Sequence, residues 1–117
     1  MAEKHFDPVA HAAAMRADGF WIDKNYDEFL NQTVARTPEK LALLAYRSDR
    51  AAPRRLTYAE CGDLVDRAAA SLARLGVGRG DVISVQLPNW WEFAIVVLAA
   101  FRVGAVVNPL MPIFRER

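Results

Sequence analysis

Residues 81–109 read DVISVQLPNWWEFAIVVLAAFRVGAVVNP, and their punctuation decides the fold. Asp81 to Leu87 is rich in valine and isoleucine and reads as a strand, broken by Pro88-Asn89. Asn89-Trp90-Trp91-Glu92 then offers an asparagine N-cap with glutamate at N3. From Phe93 to Val103 the helix is apolar almost all round, the pattern of a helix buried on more than one face. Gly104 stops it, and Ala105-Val106-Val107 forms the next strand before Asn108-Pro109. A strand, a buried helix and a strand joined by short loops make a right-handed βαβ unit within a parallel sheet.

Upstream, Thr57-Tyr58-Ala59-Glu60 is a capping box that opens a helix. Leu64, Val65, Ala68, Ala69, Leu72, Ala73 and Leu75 follow at amphipathic spacing until Gly76. Leu41 to Tyr46 reads as a strand that returns through Arg47–Arg55 to Leu56-Thr57-Tyr58, giving a β-hairpin. The connection carries four arginines and Asp49. It can in principle hold a phosphate, but it lacks the glycines that bring backbone N–H groups onto an anion, so a solvated turn is expected. Nearer the N-terminus, Asp7-Pro8 starts a short alanine-rich helix that Gly19 stops. Asp27 is expected to cap a second helix carrying Phe29, Leu30, Thr33 and Val34, ended by Pro38. Phe20 and Trp21 between them are expected to be packing anchors, and Trp90 and Trp91 to pack with one of the pair near the surface.

The composition bounds what such elements can do. The 117 residues are 53% hydrophobic and 25% charged, with 15 Lys plus Arg against 14 Asp plus Glu. A chain of 13.1 kDa should expose roughly 6,400 Å² when compact, room for one core and one domain. The net charge of +1 gives no field for nucleic acid or an anionic membrane. Phe93–Phe101, the longest apolar run, is about half of what a membrane span needs. The single cysteine, Cys61, fits a reducing compartment, and a cytoplasmic protein with no nucleic-acid partner and no membrane span is expected.

Residues that tempt a site have plainer readings. Cys61 lies where a helix end can lower a thiol pKa, yet both histidines are far away in sequence, so a small packed residue is expected. Gly76-Val77-Gly78-Arg79-Gly80-Asp81 follows a helix and feeds a strand, the reverse of a dinucleotide fingerprint. Its Arg79-Gly80-Asp81 tripeptide reads as part of the turn. His5 and His11 lack metal-ligand spacing, and Asp18, Asp23, Asp27 and Glu28 lack the order of a calcium loop.

Arg55-Leu56-Thr57-Tyr58-Ala59-Glu60, Leu75-Gly76-Val77 with Gly80-Asp81-Val82, Gln86-Leu87-Pro88-Asn89 and Gly104–Leu110 stand in an order and spacing that resembles the amino-terminal region of AMP-forming acyl-CoA synthetases, members of the adenylate-forming superfamily. The ending Asn108–Arg117 looks most like the cyclohexanecarboxylate and medium-chain acyl-CoA ligase branch. The resemblance implies an α/β fold, a partial N-terminal region of the adenylate-forming fold with the β-hairpin and the βαβ unit flanked by helices. Residues 1–40 would be an N-terminal helical segment and 41–117 an incomplete α/β subdomain.

It also implies a parent enzyme that uses ATP, Mg and coenzyme A, activating a carboxylate as an acyl-adenylate before thioester formation. Such chemistry needs a Gly/Ser/Thr loop with lysine around the phosphates and a second, mobile lysine. The only lysines here are Lys4, Lys24 and Lys40, so no catalytic, cofactor-binding or metal residue is carried over and this chain alone is expected to be inactive. Phe114-Arg115-Glu116-Arg117 should begin a further helix. Expected partners are the remainder of the parent synthetase and a second copy of this chain, through an exposed sheet edge and the apolar helix. The competing expectation is a stand-alone, non-catalytic oligomerisation module.

Overall fold

Local signals at the helix ends explain most of the architecture in the computed structural model, which describes residues 6–113. Eight elements follow in order: α1 (Pro8–Ala17), α2 (Tyr26–Arg36), β1 (Leu41–Ala45), β2 (Arg54–Thr57), α3 (Tyr58–Arg74), β3 (Val82–Val85), α4 (Trp91–Val103) and β4 (Val106–Pro109). The expected α/β class is observed, with an antiparallel β1–β2 hairpin and a parallel β3–β4 pair. Lys4, His5 and Phe114–Arg117 lie outside the described residues.

The capping box closes as its spacing demands. Glu60 N donates to Thr57 Oγ1 at 3.2 Å and Thr57 N donates to Glu60 Oε2 at 2.8 Å, satisfying two backbone donors at the start of α3. Leu56, one residue earlier, is 1% exposed and pairs with Leu43 across the hairpin. The hairpin is tied to the head of α3 by Tyr58 N donating to Lys40 O and Ala59 N donating to Pro38 O. The core joins Leu56 to Leu30 of α2, to Cys61, Val65 and Ala69 of α3, and to Ile95 and Ala99 of α4. Small residues let these helices approach closely: Ala99 is fully buried, and a Cβ on Gly62 would meet Val34 at 3.2 Å.

The βαβ unit forms in the register Val82↔Val106 to Val85↔Pro109. Gly104 turns the chain from α4 toward β4 at φ +79°, and its carbonyl accepts from Gly80 N at 2.9 Å. A side chain here would be strained by the left-handed backbone and would press its Cβ to 3.3 Å from Arg79 Cα. Gly104→Ala is therefore expected to lower stability by about 1–2 kcal/mol, read as a drop in the urea midpoint at unchanged slope.

Two expected caps move by a residue or two. Asn25, not Asp27, caps α2, because Asn25 holds the extended backbone an N-cap needs and its Oδ1 accepts from Glu28 N at 2.9 Å. Asn89 does not cap α4. A tight turn, with Trp90 N donating to Pro88 O at 2.7 Å, delays the helix so that Trp90 takes the N-cap position without a side-chain cap bond. The expected role of Phe20 and Trp21 as packing anchors is also overturned, since they are 73% and 47% exposed. Gly19 at φ +77° closes a Schellman turn, with Phe20 N donating to Met15 O, and folds the chain back along α1. Trp21 then packs edge-on against His11 of α1 and away from the core.

Arg102, in the last turn of α4, gathers three partners that its place in an apolar helix does not announce. Its Nε donates to Asp27 Oδ1 at 2.6 Å, its Nη2 donates to Asn31 Oδ1 at 2.6 Å, and its Nη1 pairs with Asp66. One guanidinium thereby ties α2, α3 and α4 together. Among the described residues several large apolar side chains stay uncovered, Val82 of β3 at 65% and Val106 of β4 at 53% exposure among them.

Candidate functional site

In open α/β sheets, ligands sit in the crevice beyond the carboxyl ends of the parallel strands. Here that edge is built by the turn after β3 and the segment after β4. Leu110 N donates to Val85 O at 2.9 Å, and Gln86 Nε2 donates to Met111 O at 3.2 Å, so the two exits are held side by side. Between them lies a cavity of about 320 Å³ walled by Leu87, Pro88, Asn89, Phe93, Leu110 and Met111. Phe93 and Pro109 also wall a neighbouring apolar hollow of about 420 Å³ over α4 and β4. No titratable side chain faces the first cavity among the described residues, so it can seat and orient an apolar group but offers nothing to transfer a proton.

The basic connection between β1 and β2 is solvated over residues 48–55, as its composition leads one to expect, and Arg47 is the exception. Arg47 grips Asp49 in a fork, with Nε 2.9 Å from Oδ1 and Nη2 2.8 Å from Oδ2, and reaches within 3.6 Å of Glu92 on α4. Its guanidinium lies 3.7 Å from the centre of the Trp90 ring. The hydrogen bond from Arg47 holds the Asp49 carboxyl below its ordinary range and raises Arg47 in return, with their opposite charges adding to it and desolvation opposing it. Arg54 similarly stands 5.7 Å over Trp91, so the two half-buried tryptophans pack under guanidinia. Arg50, Pro53, Arg54, Trp91 and Glu92 help enclose about 380 Å³. Glu92 Oε2 is shut off from solvent and has no hydrogen-bond donor among the described residues.

The remaining tempting residues resolve as follows. Cys61 is 2% exposed, and burial, then the charge of Glu60, pushes its thiol up, so the start of α3 does not make it a nucleophile. Gly78 N donates to Asp81 Oδ2 at 2.8 Å, so this turn closes on its own side chain and leads from α3 into β3 as its order requires. His11 lies between Phe6 and Trp21. Among the described residues no three His, Cys, Asp or Glu side chains converge to hold a metal ion. What sequence reasoning missed are Arg47 on Trp90 and Arg102 on Asp27; the one available signal was an arginine ending an otherwise apolar helix.

Comparison with known proteins follows the same geometry. Residues 30–117 match the family described as AMP-binding enzyme. The chain is 39% identical over 105 residues to the salicyl-AMP ligase / salicyl-S-ArCP synthetase of Mycobacterium tuberculosis, covering 90% of this chain and 18% of that protein. It is 35% identical over 108 residues to the medium-chain fatty-acid–CoA ligase of Escherichia coli, covering 89% and 18%. Among solved structures, apo MbtA of Mycobacterium smegmatis matches with a TM-score of 0.77 at 40% identity, covering 93% of this chain and 20% of that one. The chain thus spans about a fifth of the length of these relatives.

Proposed function

The chain belongs to the AMP-binding enzyme family of adenylate-forming ligases, and we propose on that premise that it supplies the amino-terminal part of a carboxylate-activating ligase. In this reading a carboxylate oxygen attacks the α-phosphorus of MgATP, the bond to pyrophosphate breaks, and the acyl-adenylate then passes its acyl group to a thiol with release of AMP. Residues 41–117 serve as an α/β subdomain and 1–40 as its helical lead-in. The observation that carries the reading is the match over residues 30–117 together with the parallel pair and its open carboxyl edge. No described residue is assigned to the reacting atoms; ATP, magnesium and the thiol meet groups elsewhere in the parent.

The acceptor thiol is coenzyme A in the reading from residues alone, which the similarity to a fatty-acid–CoA ligase supports. A carrier-protein thiol is the second reading, supported by the relative named salicyl-S-ArCP synthetase. The exposed apolar side chains of β3 and β4, Val82 and Val106, support coverage by the remainder of the parent. A module that pairs with a second copy of itself, without catalysis, draws on the same uncovered surface. No helix among the described residues is long and apolar enough to cross a membrane, and the lone buried cysteine supports a cytoplasmic setting.

The test is a chimera in which residues 6–113 replace the matching segment of the Mycobacterium tuberculosis ligase. It should retain ATP–pyrophosphate exchange with that enzyme's own acid to within about tenfold, a loss of no more than ~1.4 kcal/mol in transition-state stabilisation. The isolated chain should release no pyrophosphate from ATP, magnesium, coenzyme A and a panel of aliphatic and aryl acids. A well-folded chimera without exchange, or steady release by the isolated chain, would overturn the assignment.

A further inference from the structure

We draw no further inference here: the strongest candidate, the apolar hollow over α4 and β4 walled by Phe93, Val97, Phe101, Val106 and Val107, is an unpartnered face with nothing in the structure to show what covers it.

Discussion

Arg102→Met is expected to lower the unfolding free energy by about 3 kcal/mol, the range for removing one partner of a largely buried ion pair. Arg102 and Asp27 are each 16% exposed, so neither can turn to water for compensation when the other is lost. The substitution leaves Asp27 and Asp66 facing the same gap with no cation between them, and it removes the donor to Asn31. Three helices lose their shared contact at once, since these partners lie on α2 and α3 while Arg102 lies on α4. For a chain of this length the midpoint of thermal unfolding should fall by roughly 10–15 °C. Adding Asp27→Asn should recover part of the loss, because the stranded carboxylate is then gone, and a double-mutant cycle measures that coupling. A loss under about 1 kcal/mol would place the cluster with ordinary surface ion pairs.

Leu56→Ala should cost about 3 kcal/mol, within the range for truncating a fully buried leucine. Among the described residues Leu56 and Val65 are the two largest side chains with essentially no exposure, so the cavity left by Leu56 lies at the centre of a small core. It also lies where the hairpin joins the head of α3, one residue before the capping box. Domains of this kind carry roughly 5–15 kcal/mol in total. A chain with a core this small belongs near the lower end, so the variant should populate the unfolded state without denaturant. Urea unfolding followed by circular dichroism and tryptophan fluorescence measures the change, and a midpoint close to that of the parent chain would show that the hairpin is not part of the cooperative unit.

The elements that were legible in the sequence share a physical character. Thr57 and Glu60 cap α3 through contacts three positions apart, and Gly104 adopts a left-handed backbone that no neighbour has to impose. The βαβ unit is written as short apolar runs separated by Pro88-Asn89 and Gly104, and both strands pair as that pattern requires. Where a local signal had a close competitor, the tertiary structure chose. Asn25 and Asp27 are both capping residues two positions apart, and Asp27 is drawn instead to Arg102, 75 positions away. Asn89 and Glu92 have capping-box spacing, but Glu92 faces Arg47 of the distant hairpin connection.

The candidate sites were less legible than the fold, because each depends on segments that meet only after folding. The carboxyl edge of the parallel pair follows from the βαβ order and was within reach of sequence reasoning; its lining by the segment after β4 was not. The arginine cavity joins residues 45–54 to residues 91 and 92, and nothing in the periodicity of either stretch points to the other.

By itself, the sequence determined the helix ends that carry their own donors and acceptors, the parallel pairing implied by a strand, a buried helix and a strand, and the motif order that resembles adenylate-forming enzymes. Only the tertiary structure decided which charges meet. Capping and backbone handedness are settled by neighbours a few bonds apart, whereas the guanidinium contacts of Arg47 and Arg102 exist because helix packing brings distant residues within a few ångströms, and that placement depends on the whole core.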